Sequence, residues 1–210
     1  MNPLTLTSKQ PYSDAGLNHV YNLIFCDNID LYKSATQSSA YPWDCLLAAA
    51  PDYTQVKIVA ADQTLEARQR LLAYHLLAAN APIQHKELLG VIIEVALPNG
   101  LDVLAAFSDG TARYINQSEK LLVWETKTME SSQLIDQLFM NSGQVLKHIG
   151  RWEGERRPFP TAGTARLTFL VSDGLYFGEG PFETLYADPM GGPVINSAIQ
   201  LMTYLTQQVV

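Results

Sequence analysis

The sequence predicts an α+β fold: an antiparallel meander sheet of about six strands with helices packed on it and an N-terminal helical subdomain. Three observations carry this. Between Leu88 and Glu125 the runs LLGVIIEVAL, LDVLAAF, TARYINQ and KLLVWE are separated only by PNG, SDG and SE, and connections that short join antiparallel neighbours. A second hairpin, from Arg166 to Glu179 around Asp173-Gly174, supplies two more strands. Apolar residues at helical spacing fill stretches before Leu88 and after Glu125. Residues 1–82 are read as the helical subdomain and 83–210 as the sheet with its own helices, the two forming one cooperative unit.

In chain order, Pro3 and Pro11 make residues 1 to 13 an extended lead, and Asp14 is the expected N-cap of a helix facing inward with Leu17, Val20, Tyr21, Ile24 and Phe25. Ser34 to Ser39 reads as a loop, and Pro42 precedes a short helix carrying Trp43, Leu46 and Leu47. Asp62 is expected to cap a longer helix that buries Leu65, Leu72, Leu76 and Ala79 and is ended by Pro82.

In the meander, a Pro98-Asn99-Gly100 loop sets Val95 opposite Val103 and Val91 opposite Phe107. A type I′ turn at Asp109-Gly110 sets Ala105 opposite Tyr114, and a turn at Ser118-Glu119 sets Arg113 opposite Trp124. In this register one face is wholly apolar. The other mixes Ile92, Leu104, Ala106, Ile115, Leu122 and Trp124 with Glu94, Asp102, Arg113 and Gln117, and Arg113 over Trp124 with Glu94 diagonal predicts a cation–π and ion-pair cluster.

Thr128 begins a helix that ends before Gly150, with a kink or a close backbone approach expected at Asn141-Ser142-Gly143. Arg151 to Ala165 is too rich in Pro and Gly for regular structure and is the candidate functional loop. In the second hairpin Leu170 is set opposite Phe177 and Phe169 opposite Gly178. Pro181 to Tyr186 reads as one helical turn, and Gly191-Gly192-Pro193 opens the last helix with Pro at N1. The last helix and the mid-chain helix are expected together on the apolar face of the sheet.

Composition narrows the function classes. A chain of 210 residues with 47% hydrophobic content buries a core without staples. A net charge of −7 argues against nucleic-acid binding, which needs a concentrated basic face. Cys26 and Cys45 stand in no metal-ligand spacing, and His19, His75, His85 and His148 are scattered, so neither a metal nor another cofactor is expected. No apolar run is long enough for a membrane span, and MNPLTLTSKQPYSDAG lacks a leader pattern. The expectation is a soluble cytoplasmic protein, monomer or homodimer, without nucleic-acid or membrane partners.

Ligand-binding candidates are Arg151, Trp152, Arg156, Arg157, Tyr176 and Glu179. The arginines could hold a carboxylate or phosphate through paired guanidinium contacts, although Glu153 and Glu155 stand between them as competing partners. A mixed face of this kind is expected to be covered, first by helices of the same chain; left open, Ile92, Glu94, Leu104, Arg113, Ile115, Leu122 and Trp124 form the candidate interaction face for a protein partner or a second copy. Gly191-Gly192 at a helix N-terminus reads as capping, and Asp109 and Asp173 as turn residues.

The stretches GLDVLAAFSDGTARYINQS and LTFLVSDGLYFGEGP resemble a family of bacterial proteins to which no activity is attached. The resemblance implies a bacterial cytoplasmic setting and carries no catalytic residue across. The sequence therefore points to a non-catalytic binding or regulatory module for a protein partner or a small anionic ligand. The alternative is a small-molecule enzyme with an anion pocket between the 151–165 loop and the 178–192 segment, Glu179 as base and Arg157 as clamp.

Overall fold

The computed structural model describes residues 10–35, 40–80 and 82–208; most of the expected N-terminal lead (1–9) and of the Ser34–Ser39 loop (36–39) lies outside the described residues. Among the described residues eight helices surround one six-stranded antiparallel sheet, an α+β fold. The elements are α1 (Ala15–Leu23), α2 (Asp30–Ala35), α3 (Trp43–Leu46), α4 (Tyr53–Ala61), α5 (Ala67–Ala78), β1 (Leu88–Leu97), β2 (Gly100–Phe107), β3 (Ala112–Ile115), β4 (Leu121–Trp124), α6 (Met129–Leu146), β5 (Thr164–Val171), β6 (Gly174–Pro181), α7 (Phe182–Ala187) and α8 (Gly191–Gln207). Strand order is β4-β3-β2-β1-β5-β6, so the second hairpin joins the meander along β1 and leaves β4 at one edge and β6 at the other.

Three turns differ from expectation by one residue each. Leu97 pairs with Gly100 around a two-residue Pro98-Asn99 loop. A Cβ at position 100 would fall 2.7 Å from the Gln117 carbonyl oxygen, so only glycine fits where the two hairpin ends meet. At the Asp-Gly turn, Phe107 N–H donates to Thr111 O (2.9 Å) and Gly110 has φ 86°, a three-residue loop closed by a left-handed glycine. Around Glu119, φ 62°, Asn116 N–H donates to Lys120 O (3.0 Å) and the Asn116 side-chain oxygen accepts from Ser118 and Lys120 N–H, again a three-residue loop. Each slip turns a strand over. Relative to the expected register β2 and β4 are inverted, so Tyr114 neighbours Leu104 and Leu122, while Arg113 neighbours Ala105 and Val123.

The residues of the expected mixed face are thereby divided: Glu94 and Arg113 stay with Ile92 and Ile115, while Asp102 goes with Leu104 and Trp124. One face carries Ile92, Ala96, Leu101, Val103, Ala105, Phe107, Ile115 and Leu170 and packs against α1 and α3 to α5; the other carries Val91, Ile93, Leu104, Ala106, Trp124, Leu167 and Phe169 and packs against α6 and α8. The mid-chain helix therefore lies across the sheet from the C-terminal helix, and α6 takes the place expected for it. Both faces are rich in buried apolar side chains, and each is covered by its own layer. In the second hairpin the loop is Ser172-Asp173 and Leu170 pairs with Leu175, a two-residue displacement that leaves every side chain on its expected face.

The helical layer also differs in its boundaries. Asp62 ends α4, its carboxylate accepting from Thr64 N–H (3.0 Å) and Oγ (2.6 Å), and α5 starts only at Ala67. Ala67 N–H donates to the Asp109 carboxylate (2.9 Å), so the meander turn caps the helix above it. The buried side of α5 is Ala67, Arg70, Leu71, Leu72, Ala73 and Leu77. A second tie runs from Glu119, whose carboxylate accepts from Ser13 N–H (2.8 Å), Ser13 Oγ (2.7 Å) and Asp14 N–H (3.2 Å), just before α1.

Helix α6 is continuous through Asn141-Ser142-Gly143 and neither expectation holds there: a Cβ on Gly143 would meet nothing within 4 Å, and the contact with α8 is made by the Asn141 side chain, which donates to Pro193 O (3.2 Å) and Ser197 Oγ (2.8 Å). It ends at Leu146, before the expected Gly150 boundary. At its start the Thr128 hydroxyl accepts from Ser131 N–H (3.0 Å) and lies 2.8 Å from the Tyr204 hydroxyl of α8. Thr128→Ala removes the cap and the interhelix bond together and is expected to cost about 1–2 kcal/mol in chemical denaturation.

Candidate functional site

Glu94 of β1, Arg166 of β5 and Glu179 of β6 occupy adjacent positions in one row across the sheet. Opposite charges on neighbouring strands stabilise one another, and here the middle charge is nearly sealed from water. Arg166 lies 2.7 Å from the Glu179 carboxylate and 3.5 Å from that of Glu94, and donates to the main-chain oxygens of Pro158 (2.6 Å) and Arg157 (3.4 Å). Glu94 is fully buried; one oxygen accepts from the Tyr21 hydroxyl (2.7 Å), the other has no hydrogen bond among the described residues, and burial pushes its carboxyl upward. The row thus ties α1, three strands and the 151–163 segment together.

That segment folds over β6. Trp152 N–H donates to Leu175 O (2.8 Å), the Trp152 indole N–H donates to Glu155 O (2.9 Å), and the indole meets Phe177 edge-on at 5.2 Å. Arg156 turns inward: its guanidinium donates to Asp27 (2.7 Å) and Asn22 (2.6 Å) and stacks on Phe25 at 3.9 Å. The side chain is almost fully buried. Between this loop and the α1–α2 connection opens a cleft of about 600 Å³, walled by Asn22, Asp27, Asn28, Trp152, Glu155 and Arg156, with Gln10, Leu31, His75, Gly154 and Leu175 also lining it.

Of the expected ligand-binding set, Trp152 and Arg156 line this cleft. Arg151 lies alongside, donating to Asp173 O (3.0 Å) and standing 3.5 Å from Glu153. Arg157 is 3.7 Å from Glu179, so the loop does converge on the start of the 178–192 segment. Tyr176 is not part of the group: it sits on the opposite face, bonded to Asp173 (2.9 Å) with Lys86 over its ring. Each of the three loop arginines already has a carboxylate partner, so the expected open anion clamp is closed by the protein's own acids.

The seven residues of the expected interaction face do not share a face. Ile92, Glu94, Arg113 and Ile115 lie under the N-terminal helices, and Leu104, Leu122 and Trp124 under α6 and α8. Arg113 pairs with Glu125 (2.7 Å) instead of stacking on Trp124, whose ring meets Tyr204 at 5.9 Å. At the Gly191-Gly192 helix start the anion is internal: the Asp188 carboxylate accepts from Met190 (2.8 Å) and Gly191 (2.7 Å) N–H, and these bonds lower its pKa. A Cβ on Gly192 would fall 2.5 Å from Tyr186 O, which explains the small residue; Pro193 is the third residue of α8, not the first.

Sequence reading missed the cleft wall supplied by Asn22, Asp27, Asn28 and His75, because Arg156 and Asp27 are 129 positions apart and nothing local marks their pairing. Both cysteines are free, and burial pushes the Cys26 thiol up to about 12, so it stays protonated at neutral pH. Among the described residues no three His, Cys, Asp or Glu side chains converge to hold a metal ion, and no helix is long and apolar enough to cross a membrane. Comparison with models of known protein families, with curated proteins and with solved structures finds no match for this chain, so the bacterial resemblance of the two turn-centred stretches gains no support and the site stands on its own residues.

Proposed function

We infer that the chain is a non-catalytic binding or regulatory module that takes a small polar ligand in the cleft between the Trp152 to Arg156 loop and the α1–α2 connection. The observation that carries this reading is the cleft itself. Its volume of about 600 Å³ falls within the range of ordinary small-molecule sites, and its walls combine amides, carboxylates and one half-exposed indole. The walls are also preorganised, since Arg156 clamps the loop to Asp27 and Asn22 before any ligand arrives.

The bacterial cytoplasm remains our proposed setting for it, and two free thiols suit that setting. The enzyme alternative draws on the approach of Arg157 to Glu179, but a general base must offer a free carboxylate, and Glu179 is held by Arg166 at 2.7 Å. The buried Glu94 is sealed from any substrate.

A thermal-shift screen against amines, polyols, nucleotides, sugar phosphates and carboxylates tests the reading, because a ligand of the folded state alone raises the midpoint. At least one class is expected to raise it in the wild type and to lose at least half of that shift in Trp152→Ala. A panel with no shift, or a shift untouched by Trp152→Ala and by Asn28→Ala, would sink the cleft as the site.

A further inference from the structure

We propose that the cleft recognises an organic cation, an ammonium or guanidinium group with a small apolar body. This rests on the reading of the cleft as a binding site and names its ligand class. The charges decide it. Among the described residues the Asp, Glu, Lys and Arg side chains of the wall are Asp27, Glu155 and Arg156, two acids against one base, on a chain whose net charge is −7.

Arg156 does not offer itself to an anion. Two of its nitrogens are bonded to Asp27 and Asn22, and the third is shielded from solvent. An incoming carboxylate or phosphate would have to break the Asp27 pair and then lie beside two acidic side chains. Glu155, by contrast, is exposed and forms no ion pair among the described residues.

Beside Glu155 stands Trp152, 41% exposed, its indole oriented by the hydrogen bond to the Glu155 main-chain oxygen. Indole is the best of the aromatic rings at attracting a cation over its face. An exposed acidic residue in the same short loop as an exposed, oriented indole offers a cation both charge and a π surface, while Leu31 and Leu175 offer its carbon skeleton an apolar contact. Among the described residues that line the cleft, the one Lys or Arg is Arg156, already paired with Asp27.

The experiment compares choline with its uncharged carbon isostere 3,3-dimethyl-1-butanol and with methyl phosphate, using calorimetry and tryptophan fluorescence on the full chain at low and moderate salt. Choline is expected to bind at least about tenfold more tightly than the alcohol, with the advantage shrinking as salt screens the carboxylate. Glu155→Gln, an exposed and isosteric change, should cut that advantage to the part the indole supplies; Trp152→Ala should weaken choline by about 2–5-fold. Equal binding of choline and the alcohol, or tighter binding of methyl phosphate, would overturn the cation assignment while leaving the cleft a binding site. Absence of binding by all three overturns the cation assignment as well, and only the wider panel's response to Trp152→Ala then decides whether the cleft binds anything.

Discussion

Arg166→Leu is expected to destabilise the protein by about 3–5 kcal/mol at neutral pH, read from urea denaturation, because removing one partner of a buried ion pair strands the other. The stranded group is Glu94, 0% exposed, and Glu179 loses its 2.7 Å partner in the same step. Pro158 and Arg157 also lose a donor to their main-chain oxygens, so the loop that walls the cleft loosens with the core. The loss is expected to depend on pH in a definite direction. Burial raises the Glu94 carboxyl above the ordinary 4.5, and Arg166 is the largest influence holding it down.

Between the unfolded and folded values the native state binds more protons than the unfolded chain, so the Glu94 contribution falls as pH rises through that window. Without Arg166 the folded value climbs further and the window widens. Arg166→Leu should therefore cost less near pH 5 than at pH 7, and Glu94→Leu in the same chain should restore much of the loss, since apolar replacement of both partners avoids the desolvation cost. A loss below about 1 kcal/mol, or one that grows on acidification, would show that Arg166 does not neutralise Glu94.

What sequence could show and what it could not divide along physical lines. The strands were legible because apolar runs and turn residues are local signals; the sheet, its number of strands and the helix start at Asp14 follow from them. The faces were not, because they hang on whether each turn holds two residues or three. Asp109 illustrates the ambiguity: Asp-Gly suits a two-residue turn, but here its carboxylate bonds Thr111 within the turn and Ala67 on α5, and that tertiary bond accompanies the longer loop. Helix α4 escaped notice because its apolar residues do not form a clean stripe: Val56 and Val59 are buried while Ile58 is half exposed.

The candidate site was half legible for the same reason. Trp152 and Arg156 stood out as unusual chemistry in an irregular segment, whereas Asn22 and Asp27 look like ordinary residues at the end of a helix. Their role comes from the fold bringing α1 beneath the loop, and that depends on the helical layer covering the Glu94 face. Tyr21 gives the only hint at sequence level, an aromatic on the inner stripe of α1, and its hydroxyl reaches Glu94.

Phe107→Ala and Phe169→Ala are expected to cost about 3–5 kcal/mol each, and each to do so in a single unfolding transition. The two rings are fully buried on opposite faces of the sheet, Phe107 beneath the N-terminal helices and Phe169 beneath α6 and α8. If residues 1–82 were an independent subdomain, Phe107→Ala would weaken only its attachment, and amide exchange in β5 and α8 would stay as slow as in the wild type. The sheet argues otherwise. Its central strand β1 points Ile92, Glu94 and Ala96 into one layer and Val91 and Ile93 into the other, so β1 is expected to lose order when either layer leaves. Uncovering the N-terminal face would expose Ile92, Val103, Phe107, Ile115 and Leu170 as one apolar surface and leave Glu94 without Tyr21. The expected result is that both substitutions lower protection in β1, β5 and α8 alike, with far-UV and near-UV circular dichroism moving together. Loss confined to α1–α5 in Phe107→Ala would instead divide the chain at residue 82 and make the cleft an interface between two folding units.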